Sequence, residues 1–143
     1  INLIGLAHEE LGDFESAITV LRPAARVAAE SYGVGHNLTW RYLNNLAMAL
    51  VLKANCKHTS ISDSIIIKQQ AAALWYECIR QSIMHQDDGT VNWYGDTFRD
   101  MLPEMAPSKE ELENWAVSIQ YNGKTEYKDS PKFDFRAALV DTH

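Results

Sequence analysis

The sequence predicts an all-α protein of stacked antiparallel helical hairpins, an α-solenoid fragment with a divergent C-terminal helical cap. Three observations carry that expectation. Apolar residues recur at helical spacing, most clearly Leu43, Leu46, Ala47 and Leu50 at i, i+3, i+4 and i+7. Breakers fall at helix-length intervals: Gly12-Asp13, Gly33-Val34-Gly35, Asp87-Asp88-Gly89, Pro103 and Asn122-Gly123. The chain also matches itself, since Leu43-Asn44-Asn45-Leu46-Ala47 follows Ile1-Asn2-Leu3-Ile4-Gly5 at an offset of 42 residues, and Ala54 stands 42 after Gly12.

Two parts are expected. Residues 1–86 hold one and a half to two repeat units, and residues 87–143 hold a helical and loop segment that packs on or caps them. Ile1 to Leu11 reads as a first helix with Ile1, Ile4, His8 and Leu11 near one face, and Gly12-Asp13 as its turn. Ile1 falls inside that helix, so the sequence is read as a piece of a longer chain. Phe14 to Glu30 is the next helix. Ala17, Leu21, Ala24, Ala25 and Ala28 give it a small-residue surface that lets a neighbour approach closely, and Pro23 predicts a kink. His36-Asn37 is placed to start the helix that runs on to Ala54.

Beyond Ala54 the second unit carries an insertion over about 55–68. Matching Ala72, Tyr76 and Ile79 to Ala17, Leu21 and Ala24 requires 13 extra residues, 72 against 17 less the offset of 42. Cys56 to Ser62 reads as a polar loop, with Ser62 or Asp63 capping the next helix; Ile65-Ile66-Ile67 belongs either to that helix or to the loop. The helix then runs to about Gln86. Trp93, Phe98, Met101 and Leu102 suggest a helix from about Asn92 stopped by Pro103, and Ser108 with Glu111 forms a capping box for a last amphipathic helix ending near Asn122-Gly123. Lys124 to Phe133 reads as loop, and the closing FDFRAALVDTH either docks as a short helix or frays.

These units resemble tetratricopeptide repeats, in particular the longer form of kinesin light chains. Gly12, Phe14, Ala17, Leu21 and Ala24 match that pattern's turn glycine, aromatic, alanine, large apolar and small positions. Gly33, His36, Thr39 and Leu43-Asn44-Asn45-Leu46-Ala47 resemble its inter-repeat loop and following first helix. The resemblance covers roughly residues 1 to 84, with Ala54 in place of a turn glycine. It implies a concave surface lined by the first helix of each repeat. It also implies that the matching asparagines, Asn2 and Asn44, face a groove and hold an extended peptide.

Composition narrows the function. The chain of 143 residues is 46% hydrophobic and 22% charged, with a net charge of -6. That balance suits one globular domain and argues against a general nucleic-acid binder, which needs clustered Lys and Arg. No apolar run reaches the roughly 18 residues of a membrane span. Cys56 and Cys78 are too few for a disulfide framework and are expected to be free thiols in a reducing compartment, with a cytoplasmic location as the default. Cys56 and His58 fall short of the four ligands a zinc site takes, so no metal or cofactor is expected.

Nothing in the motifs points to catalysis. The sequence has no phosphate-binding glycine loop, nucleophile elbow or zinc-protease helix. His36 reads as a helix start, His8-Glu9-Glu10 as a solvated face, and the pairs Asp87-Asp88 and Asp96-Asp100 lack calcium-loop spacing. The expected function is a non-catalytic scaffold that binds a protein or peptide partner. Its candidate contacts are Asn2, Arg41, Asn44, Asn45 and Met48, with asparagines that both donate and accept and an arginine for a carboxylate. At the residue level, Asn44 or Asn45 could instead bond to a neighbouring helix or loop. The other functional readings are a structural subunit buried in a larger assembly, contacted through Trp75, Trp93 and Trp115, and the docking domain of a larger enzyme.

Overall fold

The structure is a computed structural model that describes residues 14–123 and 134–140. The expected helix over residues 1–11, its Gly12-Asp13 turn, the candidate contact Asn2 and the loop over residues 124–133 lie outside the described residues. Within them the chain is all-helical: α1 (Phe14–Tyr32), α2 (Asn37–Ala54), α3 (Ile61–Met84), α4 (Asp88–Met101), α5 (Lys109–Asn122) and a short 3-10 helix (Phe135–Leu139).

Local chemistry sets the helix ends. α1 passes through Pro23 and stops at Gly33, whose φ of 81° suits a residue without a Cβ and lets its N–H bond to the carbonyl of Ala29. His36 starts α2, as expected, its Nδ1 accepting from the Leu38 N–H. The cap of α3 differs from the expectation. Ser60, not Ser62 or Asp63, accepts from the Asp63 N–H at 3.2 Å, because its extended backbone lets the hydroxyl reach the third helical residue. The helix therefore begins at Ile61 and takes in Ile65 to Ile67, which leaves the segment from Asn55 to Ser60 as its connection to α2. α4 likewise starts earlier than expected, at Asp88, where the Asp87 carboxylate accepts from the Thr90 N–H. The Ser108–Glu111 capping box is present at the start of α5, and Gly123 in the left-handed region ends it.

Side-chain pairings show that successive helices run antiparallel. Near the short α1–α2 connection, the Thr39 hydroxyl donates to the carbonyls of Ala28 and Gly33, while at the far ends Lys53 meets Glu15 at 2.7 Å. Between α2 and α3, the Cys78 thiol donates to the carbonyl of Trp40 and the Trp75 indole to Asn44, so rising numbers on one helix meet falling numbers on the other. Between α3 and the α4 region, Trp75 and Tyr76 meet Phe98, and Lys68 reaches Glu104.

The core lies where these helices meet. Leu43, Leu46, Ala47 and Leu50 are all buried, as their spacing predicts, facing Ala17, Leu21 and Ala25 of α1 and the long run Ala71 to Ile79 of α3. Trp75 stacks on Phe98 with ring centroids 5.0 Å apart, and Tyr76 meets both Phe98 and Trp115 while its hydroxyl donates to the carbonyl of Met105. α5 does not lie along α4 as α3 lies along α2; it packs on α3 instead. It comes close to α4 at Gly95, where a Cβ would stand 2.8 Å from Leu112 Cδ1. On one side of that approach the two helices and the end of α3 enclose a cleft of about 310 Å³, floored by Ile83, Val91 and Leu112.

Candidate interaction surface

The candidate contacts Arg41, Asn44, Asn45 and Met48 all sit on α2, at i, i+3, i+4 and i+7, and the helix brings them into one strip. The strip is not uniformly open. Asn44 is 2% exposed, and its Oδ1 accepts the Trp75 indole N–H at 2.8 Å. Its Nδ2 points along the strip to Asn45 Oδ1 at 3.5 Å and to Met48 Sδ at 3.7 Å. The expectation that Asn44 lies open to a guest chain is corrected: the amide is turned inward, to the neighbouring helix. A buried indole N–H needs an acceptor, and Asn44 is the one it has. Asn45 is 9% exposed, Met48 is half-buried against the core, and Arg41 is exposed.

Arg41 forms no ion pair among the described residues. It lies within electrostatic reach of Tyr94 on α4. The Tyr94 hydroxyl is pushed well above its ordinary value of 10.0, first by burial and then by the nearby Cys78; Arg41 opposes the shift and Asp87 adds to it. Trp93 stacks on Tyr94, with centroids 5.4 Å apart and planes 28° from parallel, and is itself 56% exposed. An exposed indole thus stacks on the buried Tyr94 ring, and an exposed guanidinium lies within electrostatic reach of it.

The sequence offers Trp93 only as a contact of a structural subunit, not of the peptide surface, and does not single out Tyr94 at all. Trp93 was grouped with large apolar side chains, yet a signal for its position was available. On a helical wheel the buried residues Tyr94, Gly95 and Phe98 cluster on one side of α4, and Trp93 falls outside that arc. Of the other tryptophans offered as contacts of a structural subunit, Trp75 and Trp115 are buried.

The remaining polar clusters read as structural. Glu77 is buried on α3, held by a two-bond fork from Arg80 at 2.9 and 2.6 Å and by the Gln81 amide at 2.8 Å, so its charge is fully paired. Burial, seconded by the Glu77 charge, pushes the Cys78 thiol well above its ordinary value of 9.0, which keeps it protonated and unreactive at neutral pH. Both cysteines are free. Among the described residues no three His, Cys, Asp or Glu side chains cluster as a metal site, and no helix is long and apolar enough to cross a membrane.

Comparison of the chain with protein-family models, curated proteins and solved structures finds no match.

Proposed function

We propose that this chain is a tetratricopeptide-like stack of helical hairpins of the kinesin light chain type, and that it works as a non-catalytic interaction module for a peptide or partner subunit. The antiparallel order of α1 to α4 and the repeat pattern of the sequence support the architectural part. One observation carries the functional part: exposed Arg41, in no ion pair among the described residues, lies within electrostatic reach of Tyr94, on which the exposed Trp93 stacks. Arg, Trp and Tyr are the residue types that dominate binding energy at protein interfaces, and an indole left in water on a well-packed helix is otherwise wasted apolar area. Asn45 and Met48 extend the patch along α2. Arg41 supplies the charge for a carboxylate on the partner, while Asn44 belongs to the scaffold beneath. Two free cysteines suit a reducing compartment such as the cytoplasm.

Affinity purification with the intact chain tests this reading, comparing wild type with Arg41→Ala and Trp93→Ala. Both side chains are exposed, so helical content and melting temperature should be unchanged while a shared partner is lost. An unchanged partner set in both variants refutes the assignment. A second reading, a subunit permanently buried in an assembly, is favoured by Ile61, Ile65 and Ile66 at the start of α3, with Ile61 83% exposed. That reading predicts that Ile61→Lys with Ile65→Lys, rather than Arg41→Ala, releases the partner.

A further inference from the structure

The 3-10 helix Phe135–Leu139 seats on α3 and α1, far from the Arg41 patch in sequence, and buries Phe135, Ala138 and Leu139. It is a self-contained unit at one end only. The Asp134 carboxylate accepts from the Arg136 N–H at 2.9 Å and caps its start. Its last carbonyls lack helical partners of their own, and α1 provides them. Arg22 Nε donates to the Ala138 carbonyl at 2.9 Å, and Arg26 Nη1, one turn further along α1, donates to the Leu139 carbonyl at 3.3 Å. Arg136 stays exposed, its guanidinium 4.8 Å from the centre of the Phe135 ring.

We propose that this seat is a receptor for short apolar segments of the form Asp-aromatic-x-x-small-large apolar, supplied by a partner protein, and that the terminal segment is the chain's own copy of that ligand, bound in cis. Three features point this way. A five-residue 3-10 helix does not hold its shape alone, so the seat selects the conformation. Recognition is divided as in linear-motif binding, with three apolar side chains in the seat and two arginines on backbone carbonyls. The arginines read carbonyl oxygens that any chain carries, so they do not restrict the seat to this sequence. This inference is independent of the Arg41 surface.

A labelled peptide of residues 132–142 tests it by fluorescence anisotropy against the full chain. In the wild-type chain the cis segment competes at an effective concentration on the order of millimolar. Disabling it with Phe135→Ala and Leu139→Ala should therefore tighten peptide binding by about tenfold or more. In that background Arg22→Gln with Arg26→Gln should weaken the peptide at least about fivefold, as should the same Phe and Leu replacements in the peptide. Equal binding with and without the cis segment, or binding indifferent to both arginines, overturns the proposal. Should the tail variant lose helical content, hydrogen exchange on the wild-type chain decides. Excess peptide must speed exchange at residues 135–139, and unchanged exchange overturns the proposal.

Discussion

Replacing Asn44 with alanine removes the acceptor of the Trp75 indole while leaving the indole buried. The donor and acceptor are 2.8 Å apart, Trp75 has no exposed surface and Asn44 almost none, so water cannot step in without opening the α2–α3 contact. A buried donor left unpaired costs about 1–3 kcal/mol, so a loss of roughly 2 kcal/mol is expected. For a chain of this size that is roughly 8 °C in melting temperature. Thermal unfolding followed by far-UV circular dichroism measures it, and a second background isolates the cause. In Trp75→Phe the donor is already gone, so adding Asn44→Ala there should cost less than about 0.5 kcal/mol. An equal loss in both backgrounds would show that packing, not the hydrogen bond, makes Asn44 important. A loss near zero in the wild-type background would refute the claim that the indole's hydrogen bond to Asn44 stabilises the fold.

Alkaline pH should destabilise the fold through Cys78. Its native pKa lies above the unfolded value of 9.0, so the native state holds the proton longer; the stabilisation is whole below pH 9 and lost as pH rises from there toward the native value. The slope is about 1.4 kcal/mol per pH unit for one group, and Tyr94 adds to it above pH 10 in the same sense. Melting temperatures between pH 8 and 11 should fall less steeply in Cys78→Ala than in wild type, and a thiol reagent at pH 7.5 should label Cys56 alone until denaturant is added. At the start of α5, Ser108→Ala removes the hydroxyl half of a capping box and should cost about 1 kcal/mol by urea titration, and adding Glu111→Ala should cost more, because the backbone N–H of residue 108 then loses its acceptor as well.

The helices were legible because their signals are local. The period of Leu43, Leu46, Ala47 and Leu50, the capping box at Ser108 and the glycines at 33 and 123 each act within one or two turns of chain. The direction of Asn44 was not legible for a reason of geometry. A wheel drawn with one apolar face assigns the flank to solvent, but α2 is held between α1 and α3 and buries a wider arc, from Thr39 and Trp40 round to Ala54. What lies on that flank depends on a residue 31 positions away, Trp75, whose need for an acceptor no local pattern reveals. The three tryptophans offered together as contacts proved unlike, Trp93 open and Trp75 and Trp115 buried, because composition alone does not say which of them has a helix packed over it. The docked end of the chain was open to either outcome because a few apolar residues become a helix only when a seat exists for them.

Arg22 and Ala138 are 116 residues apart and touch. In arrays of helical units each member leans only on its neighbours, so the ends come apart first and independently. Here the first described helix and the final described turn are clasped together, and the turn also packs on α3. Loss of the final described turn frees Arg22 and Arg26 while the helices beneath stay packed, and the clasp can close only after a long stretch of chain has been gathered in. Folding should accordingly finish with that closure, a late and slow event in an otherwise locally wired molecule.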